Sequence, residues 1–158
     1  MQQTLTTCLW FNGKAEEAMN FYLSTFKNSK MGSVSRYGEL GPGQKGTVMV
    51  ANFQINGQDF MGLNGGPMYS FTPAISLVVN CDTQDEVDHL WDRLGKDGAP
   101  NRCGWVTDKF GVSWQIVPRA LGQLMSDKDP AKSGRVMKAM FGMTKIDIAG
   151  LQRAYNGA

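Results

Sequence analysis

One histidine and three cysteines are the only imidazole and thiol groups in the 158 residues, and their positions restrict the chemistry available. His89 lies inside a helical stretch among Asp85, Asp88, Asp92 and Arg93, where a solvated histidine beside carboxylates is the plainer reading than a catalytic one. A single histidine cannot build a His-rich zinc or iron site within one subunit. Cys8, Cys81 and Cys103 show no CxxC spacing. Cys8 and Cys81 fall in or beside strand-like stretches and read as small buried hydrophobes. Cys103, in the turn-rich run Arg102-Cys103-Gly104-Trp105, is the one expected to react, with Arg102 favouring a thiolate. No Cys-His pair can be inferred. Gly38 to Gly46 and Asn64-Gly65-Gly66-Pro67 are glycine-rich, but neither leads from a strand into a helix with a Lys-Ser/Thr pair, so both read as turns or mobile loops. No glycine-rich turn follows the first strand, as an S-adenosylmethionine or dinucleotide site would require.

The elements that position these residues come twice. The segment from Thr4 to Phe11 reads as a strand, and Asn12-Gly13 ends it. Ala15, Ala18, Met19 and Tyr22 follow at helical spacing, with Glu16 and Glu17 at the positive end of the helix. Three strands are expected next, at Met31 to Tyr37, Thr47 to Ile55 and Gln58 to Leu63, the last two joined by the hairpin signal Asn56-Gly57. A strand at Ala74 to Asn80 restarts the pattern. Thr83 and Glu86 form a capping box for a helix whose apolar residues Val87, Leu90, Trp91 and Leu94 repeat the first helix's spacing, 72 positions on. Strands at Arg102 to Thr107 and Val112 to Val117 complete a second module. From Pro118 the chain changes character: Asp129-Pro130 and Asp147 read as helix starts, with Ile146 and Leu151 as a hydrophobic staple. Met137, Met140 and Met143 form a stripe expected to be core or dimer contact. Trp10, Trp105 and Trp114 fit either a core or a pocket wall. The expected boundaries are 1–66, 67–118 and a helical tail 119–158 within one α+β domain.

Composition adds exclusions. Sixteen Lys+Arg against fourteen Asp+Glu leave +2, too little for a protein that binds nucleic acid by neutralising many phosphates. No apolar run approaches the roughly 20 residues of a membrane span. The first ten residues lack a signal peptide's basic and apolar regions, and the odd, scattered cysteines suit a reducing compartment. A cytoplasmic location is expected.

Leu9-Trp10-Phe11-Asn12-Gly13-Lys14-Ala15-Glu16-Glu17-Ala18 with Phe21-Tyr22 resembles the opening of the PhnB-like proteins, a branch of the glyoxalase/bleomycin-resistance/dioxygenase (vicinal oxygen chelate) superfamily. Leu63-Asn64-Gly65-Gly66-Pro67, Ala74-Ile75-Ser76-Leu77, Cys103-Gly104-Trp105 and the run from Asp108 to Pro118 agree, as does the tail segment Lys145-Ile146-Asp147-Ile148-Ala149. Many such proteins carry the label of a demethylubiquinone methyltransferase, and nothing in this sequence supports methyl transfer. The resemblance implies two βαβββ modules whose curved sheets make a cup around a ligand, and homodimers that sometimes exchange modules. In metal-dependent relatives, ligands come from the first and last strands of each module, and the resemblance maps those positions to Thr7, Gly62, Ala74 and Gln115. None is a strong metal ligand, and Met68 stands where many relatives carry histidine.

The expected site is therefore a cup lined by Thr7, Leu9, Gly62, Asn64, Ala74, Ser76, Ser113 and Gln115, with Trp114 and Ile116 on the opposite side. Its hydroxyls, amides and apolar groups suit a small, partly polar, uncharged ligand. No metal or cofactor is expected, and the partners expected are an unknown small molecule and a second copy of the chain. Metal-independent binding leads as the function. The alternatives are a glyoxalase-like or dioxygenase-like enzyme with a non-standard site, and a mainly structural dimer with a filled cup.

Overall fold

The structure, a computed structural model, describes residues 5–158, so Thr4 of the expected first strand lies outside the described residues. The chain divides into two compact units after Phe71. The first contains β1 (Thr7–Phe11), α1 (Ala15–Thr25), β2 (Ser29–Arg36), β3 (Val48–Ile55) and β4 (Gln58–Asn64). The second contains β5 (Leu77–Cys81), α2 (Gln84–Gly95), β6 (Ala99–Pro100), β7 (Trp105–Thr107) and β8 (Ser113–Pro118), followed by α3 (Arg119–Met125), α4 (Pro130–Phe141) and α5 (Ile148–Asn156). The sheet orders are β1-β4-β3-β2 and β5-β8-β7-β6, and the first strand of each pairs parallel with the last. The repeated βαβββ pattern of this α+β fold is thus a repeated topology.

In the first unit α1 covers one sheet face. Ala15, Ala18, Met19 and Tyr22 are buried against Leu9, Phe11, Ala51, Phe53, Ile55 and Phe60. Asn56 and Gly57 both adopt positive φ, 49° and 81°, the backbone a two-residue type I′ hairpin needs. Lys14 provides no side-chain cap for α1. Asn64 replaces it from the end of β4: its Oδ1 accepts from the Ala15 N–H at 2.9 Å, and its Nδ2 donates to the Val48 carbonyl at 3.0 Å. The glycines after Asn64 are shaped by Trp10, whose Nε1 donates to the Gly66 carbonyl. A Cβ on Gly65 would lie 2.2 Å from that indole ring.

In the second unit Thr83 caps α2 by accepting from the Glu86 N–H, while the Glu86 carboxylate returns to the Asp82 N–H, one residue before the expected partner. Asp108 is 3 % exposed and holds the turn into β8. Its Oδ1 accepts from the N–H groups of Phe110 and Val112, and its Oδ2 from the Trp114 indole. These bonds account for the run Asp108 to Trp114 as a folding device.

Two expected strands are shorter than the sequence suggested. β5 begins at Leu77, and Ala74 sits in an exposed turn after Pro73. Residues 102–104 are a turn because Cys103 and Gly104 take positive φ, 56° and 80°. The two-residue β6 had no signal in the sequence, and it pairs only at Ala99–Thr107 and Pro100–Val106.

The tail is helical as expected, and Asp129 and Asp147 accept from the N–H groups of Ala131 and Ala149. Its core is Leu121, Val136, Ile146 and Leu151, with Met140 and Met143 packed against it and Met137 left 42 % exposed. Met143 lies past the end of α4; Met140 and Met143 make the expected core contact, and Met137 faces outward. Backbone bonds from Cys103 to Met143 and from Gly104 to Thr144 tie the tail to the 102–104 turn. No helix among the described residues is long and apolar enough to cross a membrane.

Candidate functional site

Helix cover decides which sheet face can meet a ligand, because a face packed under a helix has no room for one. In the second unit the α2 side holds Val106, Trp114 and Ile116, all buried. Alternation along β8 sends Gln115 to the other face, where it pairs with Val78 of β5. There the Gln115 Nε2 donates to the Ser76 hydroxyl at 2.8 Å. Ser113 shares this parity and is 3 % exposed; Val78 is 53 % exposed. The structure therefore brings Ser76, Ser113 and Gln115 to one sheet face. Ala74 lies outside the strand, two residues before Ser76.

The first-unit half of the expected cup requires correction. Leu9 and Gly62 are paired across β1 and β4, and both belong to the face under α1. A Cβ at Gly62 would lie 3.2 Å from the Ala15 Cβ and 3.5 Å from the Phe11 ring. Thr7 shares that face by alternation, and Asn64 is spent on the α1 cap and β3. The open face of this sheet instead carries Cys8, Trp10, Met61 and Leu63, in the register Cys8–Met61 and Trp10–Leu63. A small depression of about 240 Å³ reaches its outer strands near Lys30, Asn52, Gln54 and Asp59, where Gln54 donates to the Asp59 carboxylate.

The repeated topology gives the counterpart of the Ser76–Gln115 pair. Val78 faces Gln115 as Cys8 faces Met61, so two residues back from Cys8 places Thr6 as the match of Ser76. The donors at these equivalent positions are a hydroxyl and a thioether in the first unit, and a hydroxyl and an amide in the second. Neither pair holds an imidazole, a carboxylate or a ready thiolate, so neither fits the divalent metal that the resemblance to metal-dependent relatives implies. Shifting to the neighbouring Cys8 adds one thiol, which desolvation pushes above its ordinary pKa.

The cysteines differ from the sequence reading. Cys8 is exposed rather than buried, because it lies on the face opposite Leu9 and Phe11. Cys81 is buried, and its thiol is pushed up to about 11 by desolvation first, then by the carboxylates of Glu86 and Asp82 against an opposing effect of Arg119. Cys103 is half-buried with its Sγ 3.6 Å from the Met140 carbonyl. At pH 8 the thiolate fraction of Cys81 is about one in a thousand. Timed iodoacetamide labelling with peptide mapping should therefore modify Cys8 and Cys103 well before Cys81; equal rates at Cys81 would contradict its burial. His89 is exposed on α2, and Lys145 bonds the neighbouring Asp88 at 2.7 Å.

Comparison with known proteins follows the same lines. The model of the 3-demethylubiquinone-9 3-methyltransferase family matches residues 3–117. A putative 3-demethylubiquinone-9 3-methyltransferase, PhnB protein, from Bacillus cereus is 47% identical, with a TM-score of 0.69 over 73% of this chain and 99% of its own. Protein PA1353 from Pseudomonas aeruginosa is 20% identical and shares the fold, with a TM-score of 0.62 over 74% of this chain and 98% of its own. The fosfomycin resistance protein FosX from Mesorhizobium loti shares the fold at 15% identity, with a TM-score of 0.50 over 72% of this chain and 89% of its own. No curated protein matches. The family match stops at residue 117, so α3, α4 and α5, including the familiar segment 145–149, lie beyond it. Matched from its first strand into its last, this chain belongs to the 3-demethylubiquinone-9 3-methyltransferase (PhnB-like) family.

Proposed function

We propose that this protein binds a small, partly polar, uncharged molecule without a metal ion, using the sheet face that carries Ser76, Ser113 and Gln115. The observation that carries the reading is the 2.8 Å bond between Gln115 and Ser76. It sets a neutral amide and a hydroxyl side by side, which together still offer an amide oxygen and a hydroxyl hydrogen to a ligand. Replacing water around a divalent ion with such neutral oxygens gains little over bulk hydration. Exposed Val78 adds an apolar contact beside them. Methyl transfer, named in the family's description, has no support in the fold. The turn from β1 to α1 is Asn12-Gly13-Lys14, not a glycine-rich cofactor loop, and the sheet order is not that of a doubly wound parallel sheet.

The reading also takes the protein to act in a reducing cytoplasm and to pair with a second copy, which would cover the edge strands that both four-stranded sheets leave open. Elemental analysis of protein purified without chelator should find zinc, iron and nickel far below one per chain. Native mass spectrometry of the same material should find a small molecule that the Gln115→Leu variant releases. Stoichiometric metal that disappears in Gln115→Ala would overturn the proposal and favour an enzyme with a non-standard site.

A further inference from the structure

We propose a second binding site, in the first unit beside α1, for a neutral molecule that presents a hydrogen-bond acceptor and a donor side by side, as a carboxamide does. The site is a cavity of about 710 Å³, within the size range of roughly 300–1,000 Å³ common for small-molecule pockets. Its polar wall is an ion pair: Arg36 Nη2 lies 2.8 Å from Glu16 Oε1, and Arg36 Nη1 donates to the Gly46 carbonyl at 3.2 Å. These contacts use two of the five guanidinium N–H donors. Among the described residues the second carboxylate oxygen of Glu16 has no hydrogen-bond partner. A donor and an acceptor thus stand next to each other on the cavity wall.

The apolar wall is Tyr37, Pro42 and Val48. Tyr37 packs on its own loop: a Cβ at Gly41 or Gly43 would come within 2.8 or 2.3 Å of the ring and push it aside. The rim is kept open by backbone conformation. Gly13, Gly46 and Gly66 line the cavity at φ of 76°, 83° and 90°, and a Cβ at any of them would meet nothing within 4 Å. Charge selects the ligand class. An anion drawn to Arg36 meets the Glu16 carboxylate, and a cation drawn to Glu16 meets the guanidinium. A neutral acceptor–donor edge satisfies both without bringing a charge into the site.

The test keeps one ring and varies the edge. Benzamide, benzoate and benzamidine are titrated into ¹⁵N-labelled protein, and the amides of Gly13, Gly46 and Gly66 are followed. Benzamide should shift these amides saturably and bind more tightly than the two charged analogues. Arg36→Gln and Glu16→Gln should each weaken it about five-fold, the effect of losing one exposed hydrogen bond. Both side chains are half-exposed, so the variants keep the fold, and their spectra report it directly. Tighter binding of benzoate or benzamidine, the absence of any saturable shift at these amides, or benzamide binding unchanged by both substitutions would each overturn the proposal.

Discussion

Replacing Asp108 with alanine is expected to destabilise the second unit by about 3–5 kcal/mol, since removing one partner of a buried hydrogen bond costs roughly 1–3 kcal/mol for each group left unsatisfied. The carboxylate is 3 % exposed and serves three donors, the N–H groups of Phe110 and Val112 and the Trp114 indole. The Val112 and Trp114 bonds are buried, so water cannot take over from the lost oxygens. Trp114 is itself 2 % exposed. Asp108→Asn separates the contributions. It retains an oxygen for the two backbone donors but sets an amide against the indole N–H, and should cost about 2 kcal/mol. Urea unfolding read by hydrogen exchange at β8 would measure both variants. An alanine variant within 1 kcal/mol of the parent would show that the turn holds without its carboxylate.

Ile146→Ala carries the next largest effect, about 3 kcal/mol, because a large-to-small change in a closed core loses transfer free energy and leaves a cavity. Ile146 is fully buried with Leu121, Val136 and Leu151. Its Cγ1 would stand 3.1 Å from a Cβ on Gly104. The same residue joins the tail to α2: its carbonyl accepts from Gln84 Nε2 at 3.1 Å, and the Ile148 N–H donates to Gln84 Oε1 at 2.9 Å. The loss should therefore lower the unfolding midpoint of the whole second unit, tail and sheet together. Met137→Ala, at a side chain 42 % exposed, should stay within about 0.5 kcal/mol of the parent. Melting of the tail alone, with β5 and β8 still protected from exchange, would show that the extension beyond the family match folds separately.

Local chemistry made much of this fold legible in advance. Asn56-Gly57 encodes a hairpin through backbone angles that few other residue pairs tolerate, and the structure has it there. Thr83, Asp129 and Asp147 announce helix starts because a short oxygen-bearing side chain reaches the first free N–H groups within its own turn. The repeated spacing of apolar residues in α1 and α2 exposed the two-module pattern, since a helix that buries one face must repeat near 3.6 residues. In β8 the contrast between Trp114 and Ile116 on one side and Ser113 and Gln115 on the other told the two faces apart.

The first module offered no such contrast. In β1, Leu9 and Phe11 alternate with Cys8 and Trp10, so both faces look apolar, and a one-residue choice moves every side chain to the other face. Helix packing made that choice: Ala15 lies close enough to β4 that a Cβ at Gly62 would stand 3.2 Å from its Cβ. With α1 on that face, Thr7, Leu9, Gly62 and Asn64 turn toward it and Cys8 is left exposed. The pairing of Gln115 with Ser76 across 39 positions, and of Arg36 with Glu16 across 20, likewise arose only when strands and helix came together. Periodicity and capping act within one element and can be read from its residues alone. Which face a helix covers, and which distant polar groups meet, depends on contacts that exist only in the folded chain.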